Sequence, residues 1–329
     1  MNKVLKNILK IAFPVVLGIF ILYWVYRDFD FSLAGTALLH DTDWGWMALS
    51  LFFGVMSHVF RGWRWRQTLR PLGAHPRAGN CVDAIFISYA ANLVLPRVGE
   101  VSRCGLLARY DGVSFTKSLG TVVTERIIDG LCILLIAAVT FFLQMPVFVT
   151  FFQETGTKIP SLVHLLTSPW FYMVLFSAVG VVVLLYYFTR MLSVFEKVKG
   201  AMRNVVEGIS SLAAVRNKPL FLFYTLAIWI CYFLHFFYTF YCFPFTGHLS
   251  LEAGLVMFVG GTFAVIVPTP NGAGPWHFAI ITMMMLYGIS DTDASIFALI
   301  VHGIQTLLVI LLGVWGWIHI GLANQKGKG

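Results

Sequence analysis

Three clusters of ionisable and helix-breaking residues interrupt an otherwise apolar chain, and each suits a charged headgroup. The first is Asn92, Pro96, Arg97, Gly99, Glu100 and Arg103. Pro96 and Gly99 break a helix, and the freed backbone groups are tolerated in a membrane where they line a cavity. Glu100 and Arg103 stand three residues apart, so a helix pairs them on one face. Arg97 is then left for an anion, and a guanidinium suits phosphate because its fork donates two parallel hydrogen bonds. The second cluster is Glu125, Arg126 and Asp129, at the start of an apolar run. Glu125 and Asp129 share a helical face, and Arg126 reaches Asp129. Two acids with one base leave a negative charge for Arg97 or Arg103 across the fold, or for a cationic headgroup. The third cluster is Pro268, Pro270, Asn271, Gly272, Gly274 and His277. Its freed amides are able to hold an oxyanion, and His277 is placed to titrate near neutral pH. A fourth group, His58, Arg61, Trp63, Arg64, Trp65 and Arg66, closes an apolar run and reads as a positive anchor at the membrane interface.

The elements that position these clusters follow from composition. Of 329 residues, 58% are hydrophobic and 12% charged. Soluble domains carry about 25% charged residues, so polar material is too scarce here to cover a soluble surface. Apolar runs at 8–26, 44–60, 127–145, 170–188, 220–243 and 294–320 approach the roughly 20 residues needed to cross a hydrocarbon core. Two regions, 80–96 and 252–288, are short or broken by Pro and Gly. The expected fold is all-α: about six full transmembrane helices and two re-entrant hairpins in one integral membrane domain. Tyr23, Trp24, Trp44, Trp46, Trp170, Trp315 and Trp317 fall near span ends, where amphipathic rings prefer the headgroup zone.

Charge gives the orientation. With the N-terminus inside and both broken regions re-entrant, 21 Lys and Arg face the cytoplasm and 2 face outward. That is the positive-inside pattern of a multi-pass bacterial inner-membrane protein with both termini cytoplasmic. The net charge of +8 is therefore topological and suits anionic lipid; nucleic acid is not an expected partner. The first run follows Lys3, Lys6 and Lys10 but is long and lacks a small-residue cleavage site, so it reads as an uncleaved helix. Cys81, Cys104, Cys132, Cys231 and Cys242 show no ligand spacing and read as small buried residues. There is no phosphate loop, nucleophile elbow, or zinc or calcium motif; neither cofactor nor metal is expected, and no catalytic residue is assigned.

The chain also resembles itself. GVSFT at 112–116 returns as GISDT at 288–292, and ANLVLPRVGEVSR aligns with AVIVPTPNGAGPWH. These offsets pair Pro96 with Pro270, Arg103 with His277, Arg126 with His302 and Asp129 with Gln305. The halves, about 44–145 and 220–320 with a linker helix at 170–188, run in opposite directions by the charge count. Inverted repeats with broken helices at matching positions point to a transporter-type site.

The runs NLVLPRVGEVSR, TERIIDG, PTPNGAGPWH and RWR, over residues 8–320, resemble the membrane region of lysylphosphatidylglycerol synthases, the flippase-like domain of the multiple peptide resistance factor. The resemblance implies translocation of aminoacylated or glycosylated lipid. It also implies that Asn92, Arg97, Glu100, Arg103, Glu125, Arg126 and Asp129 lie at a headgroup site. His277 stands where the family often has Glu, which leaves the charge type of the lipid open. Without the synthases' soluble aminoacyl-transferase domain, the chain is not expected to make lysyl-lipid. Expected partners are membrane lipids with an anionic or lipid-linked headgroup, with a separate synthase or a homodimer as further partners. The competing readings are a membrane transferase using Glu100, Glu125 or Asp129 as a base, and a non-catalytic partner of a synthase.

Overall fold

The structure, a computed structural model, describes residues 3–95, 98–145 and 214–325, with side chains from residue 12 onward. Pro96, Arg97 and the expected helix at 170–188 lie outside the described residues.

The described residues are helical and contain no strand. The helices are α1 (Lys3–Tyr26), α2 (Phe31–Thr36), α3 (Trp44–Leu69), α4 (Ala78–Val94), α5 (Val98–Asp111), α6 (Phe115–Leu143), α7 (Lys218–Phe237), α8 (Leu251–Ala264), α9 (Pro275–Leu286) and α10 (Asp291–Gln325). Local chemistry sets several starts. Asp43 Oδ1 accepts from the Gly45 and Trp46 amides and opens α3. Asn217 Oδ1 accepts from Leu220 N–H and opens α7, and Ser250 opens α8. Such caps satisfy amides that have no intrahelical acceptor.

Small residues let the helices approach closely, as expected where lipid removes the hydrophobic drive between them. α3 packs on α7, and a Cβ at Gly54 would stand 2.9 Å from the His235 ring. α3 also meets α4 at Gly62, where a Cβ would stand 2.8 Å from Val82 Cα. α4 packs on α10 with Gly316 against the Asp83 carbonyl.

Among the described residues, three helical stretches are long and apolar enough to cross a membrane: Phe115–Leu143, Lys218–Cys242 and Asp291–Gln325. A fourth is possible if Ala12–Tyr26 and Phe31–Asp41, bent by 92°, form one broken span. The expected six full spans are therefore not reached among the described residues. α3, expected as a span at 44–60, has 26 residues but carries Arg61, Arg64 and Arg66, which lower its hydropathy. Leu131, Leu134, Leu135 and Phe142 on α6 are exposed, an apolar face that lipid solvates and water does not.

Two boundaries correct the sequence reading. α3 runs nine residues past 60, to Leu69, so Arg61, Arg64 and Trp65 belong to the helix rather than to a loop beyond it. α6 begins at Phe115, not near 127. Glu125 lies ten residues inside it, about 15 Å along the axis, so its acids do not sit at a helix start. The broken regions are placed well: α4 ends at Val94 and α5 starts at Val98, while α8 ends at Ala264 and α9 starts at Pro275.

Candidate functional site

The extensions of α3 and α6 bring their charges face to face. Arg61 and Arg64 lie one turn apart on α3; Glu125 and Asp129 lie one turn apart on α6. Arg61 Nη1 donates to Asp129 Oδ2 at 2.6 Å, and Arg64 Nη2 donates to Asp129 Oδ1 at 2.8 Å. Arg64 Nε stands 3.5 Å from Glu125 Oε1, and Arg103 on α5 donates to Glu125 Oε2 at 2.8 Å. The Arg103 guanidinium also lies 4.5 Å over the Trp65 ring, which donates its indole N–H to Thr121. Arg61, Arg64, Arg103 and Glu125 are each at most 3% exposed. Unpaired, any one of them would be prohibitive at this depth; alternation of sign makes the row tolerable.

Arg126 closes the network. It stands 3.3 Å from Asp129 Oδ2 and 3.4 Å from Glu100 Oε1, and its side chain is 41% exposed. Among the described residues, four guanidiniums (Arg61, Arg64, Arg103, Arg126) meet three carboxylates (Glu100, Glu125, Asp129), which leaves one surplus positive charge. The expected Glu100–Arg103 pair does not form. Arg103 points to Glu125 and Glu100 to Arg126, because a buried guanidinium gains more from an equally buried carboxylate than from a half-exposed neighbour on its own helix.

This network borders a cavity of about 560 Å³. α3, α4 and α6 line it with His58, Arg61, Tyr89, Arg126 and Asp129. α7 and α8 add Trp229, Tyr232 and Phe258, and the second break with α9 and α10 adds Asn271, Trp276, His302 and Gln305. Tyr232 OH receives Arg61 Nε–H at 3.3 Å and lies 2.7 Å from Tyr89 OH, which ties α3, α4 and α7 together. The second break shapes part of the wall. Asn271 (φ 53°), Gly272 (φ 69°) and Gly274 (φ 91°) take left-handed conformations there. Asn271 Nδ2 donates to Thr306 Oγ1 at 2.8 Å, and His302 Nε2 lies 3.2 Å from the Asn271 carbonyl. A Cβ at Gly274 would stand 2.8 Å from Ile21, so this break is seated against α1.

Among the residues singled out in the sequence, Arg126, Asp129 and Asn271 line the cavity. Arg103 and Glu125 stand behind it, and Glu100 reaches it through Arg126. Asn92 is held elsewhere: its Oδ1 accepts the Gly99 amide at 2.8 Å and caps α5. Asn92→Ala should therefore cost about 1 kcal/mol of stability, read as a lowered melting temperature, while Asn92→Asp keeps the acceptor and loses less. His277 is buried with its ring 4.4 Å from that of His302, and its Nδ1 accepts the Gly274 amide at the start of α9. It is not part of the cavity wall. Pro268, Pro270, Gly272 and Gly274 form the break itself, and Gly99 seats α5 on α4.

Arg61 and Arg64 were missed as site residues; they read as interfacial anchors. Their one-turn spacing, matching that of Glu125 and Asp129, was the available signal. Tyr89, Tyr232 and Trp276 carried no local signal, since aromatic residues are common in apolar helices; Gln305 stood out only as the repeat partner of Asp129.

A chain whose described residues are helical, with lipid-facing apolar helices and ionised groups buried beside a cavity, is an integral membrane protein. It belongs to the family described as the lysylphosphatidylglycerol synthase TM region, whose sequence profile matches residues 11–313. A curated relative, the Glycosyltransferase AglD of Haloferax volcanii, is 34% identical over 104 residues, which is 31% of this chain and 17% of that protein. The chain thus matches under a fifth of that relative's length. No solved structure matches it significantly.

Proposed function

We propose that the chain moves a lipid or lipid-linked intermediate between leaflets, with its headgroup held in the central cavity by Arg126, Arg61 and Asn271 and with Asp129 orienting the two arginines. One observation carries this reading: the cavity is walled by helices flanking both breaks and bordered by a buried ion network with surplus positive charge. Irregular backbone at membrane depth is tolerated where it lines such a space.

Inverted-repeat organisation is part of the proposal. The order long, short, break, short, long over α3 to α6 is matched over α7 to α10. The two short pairs flank the expected breaks, and the 21-to-2 partition of basic residues supports opposite orientations with cytoplasmic termini. Translocation is favoured over headgroup transfer because Glu100, Glu125 and Asp129 each have a guanidinium partner within 3.5 Å, so none stands free as a base.

The test is reconstitution in vesicles carrying a labelled anionic phospholipid. Wild-type protein should accelerate leaflet exchange above empty vesicles. Arg126→Ala should slow it by about tenfold or more, the loss of a charge-assisted contact. Exchange that is the same in wild-type, variant and empty vesicles would sink the proposal.

A further inference from the structure

The cavity wall from α6 and the wall from the second break and α10 differ in chemistry, and the difference selects a headgroup. On α6, Arg126 lies 3.3 and 3.4 Å from its carboxylates, beyond the usual length of a charge-assisted hydrogen bond, and its side chain is 41% exposed. It retains donors for an anion. The network around it has one unbalanced positive charge among the described residues, enough for one negative charge on a ligand.

The wall from the second break, α9 and α10 holds no Asp, Glu, Lys or Arg among the lining residues. Asn271, His302, Gln305 and the Trp276 ring line it, and Gln305 Nε2 is a buried donor with no acceptor among the described residues. Asp129 is the carboxylate of the cavity wall, and both its oxygens already accept from Arg61 and Arg64. A ligand ammonium would find no free carboxylate there, and a buried unpaired cation is costly. Hydroxyl groups would find the free Gln305 amide donor and the Trp276 aromatic face, beside Asn271 and His302.

We propose that the cavity takes a monoanionic phosphodiester whose second substituent is uncharged and polyhydroxylated. The phosphate sits at Arg126 and the hydroxyls at a subsite formed by Asn271, Gln305 and His302; the location rests on the translocation reading above. Headgroups carrying an added ammonium, the aminoacyl lipids among them, are disfavoured.

Binding is measured on the purified full chain in nanodiscs with four lipids: phosphatidylinositol, phosphatidylmethanol, phosphatidylethanolamine and lysyl-phosphatidylglycerol. Phosphatidylinositol should bind about tenfold more tightly than phosphatidylmethanol, which has the same charge and no hydroxyl, and more tightly than both amine lipids. Gln305→Leu should abolish the gap between the first two and leave phosphatidylmethanol unchanged. Arg126→Ala should weaken both. Gln305→Glu supplies the missing carboxylate and should raise affinity for lysyl-phosphatidylglycerol about tenfold while lowering that for phosphatidylinositol. Melting curves establish that each variant is folded, and the two Gln305 variants give opposite readouts, so either alone decides. Equal affinity of the wild type for phosphatidylinositol and lysyl-phosphatidylglycerol overturns the proposal, as does an unchanged inositol-to-methanol ratio in Gln305→Leu. Leaflet exchange is read separately. Exchange lost in Arg126→Ala without headgroup preference overturns the ligand class alone; preference without exchange overturns translocation alone.

Discussion

Asp129→Ala is expected to destabilise the protein by about 3–5 kcal/mol, the cost of leaving buried charges without their partner. Asp129 accepts from Arg61 at 2.6 Å and from Arg64 at 2.8 Å, and lies 3.3 Å from Arg126. Arg61 is 3% exposed and Arg64 is fully buried, so water cannot replace the lost oxygens. Asp129→Asn should also destabilise, because the amide keeps one acceptor but loses the negative charge that balances two guanidiniums. Asp28→Ala is the control. Asp28 pairs with Arg27 at 2.9 Å, but both are largely exposed, and such pairs contribute little. Melting of the purified variants in one detergent measures both. An Asp129→Ala protein within about 1 kcal/mol of wild type would mean that the arginines find other partners.

Gly99→Ala should be comparably severe for a different reason. A Cβ at Gly99 would lie well inside the van der Waals radius of the Ser88 carbonyl oxygen on α4, and 2.8 Å from Asn92 Oδ1. Backbone cannot rotate away as a side chain does, so α5 must lift off α4. The expected cost is about 3 kcal/mol or more, at the upper end of overpacking. The shift also carries Glu100 and Arg103 away from Arg126 and Glu125, so leaflet exchange should fall even at temperatures where the variant stays folded. Gly105, on the same helix, has nothing within 4 Å of a built Cβ. Gly105→Ala should be neutral or stabilising by about 0.5–1 kcal/mol, through the lower helix cost of alanine. Equal melting temperatures for the two variants would show that the α4–α5 junction is looser than this packing requires.

Composition and periodicity determined most of what is one-dimensional here. Lipid as solvent demands long apolar helices: the run at 294–320 falls within a helix able to span, and those at 127–145 and 220–243 overrun theirs by only two residues and one. Pro and Gly mark places where a helix cannot continue, so the breaks after Val94 and Ala264 were legible too. The motifs that carry the family resemblance were likewise visible in the chain.

What the sequence could not determine was partnership among charges. An arginine at the end of an apolar run has the same local signature whether it anchors to headgroups or turns inward. Arg61 and Arg64 turn inward only because α3 continues to Leu69 and α6 starts as early as Phe115, so the two helices overlap along their charged turns. Glu100 and Arg103 look like a pair by spacing, yet the fold offers Arg103 a deeper acceptor, and depth strengthens an ion pair by lowering the local dielectric. Asn271 and Gln305 stood out in the chain, one in a broken cluster and the other as the repeat partner of Asp129, but that both line one cavity is decided by the packed helices. Residue type and helix order are local properties of the chain; which charge meets which is set by helix register and depth, and these exist only in the folded bundle.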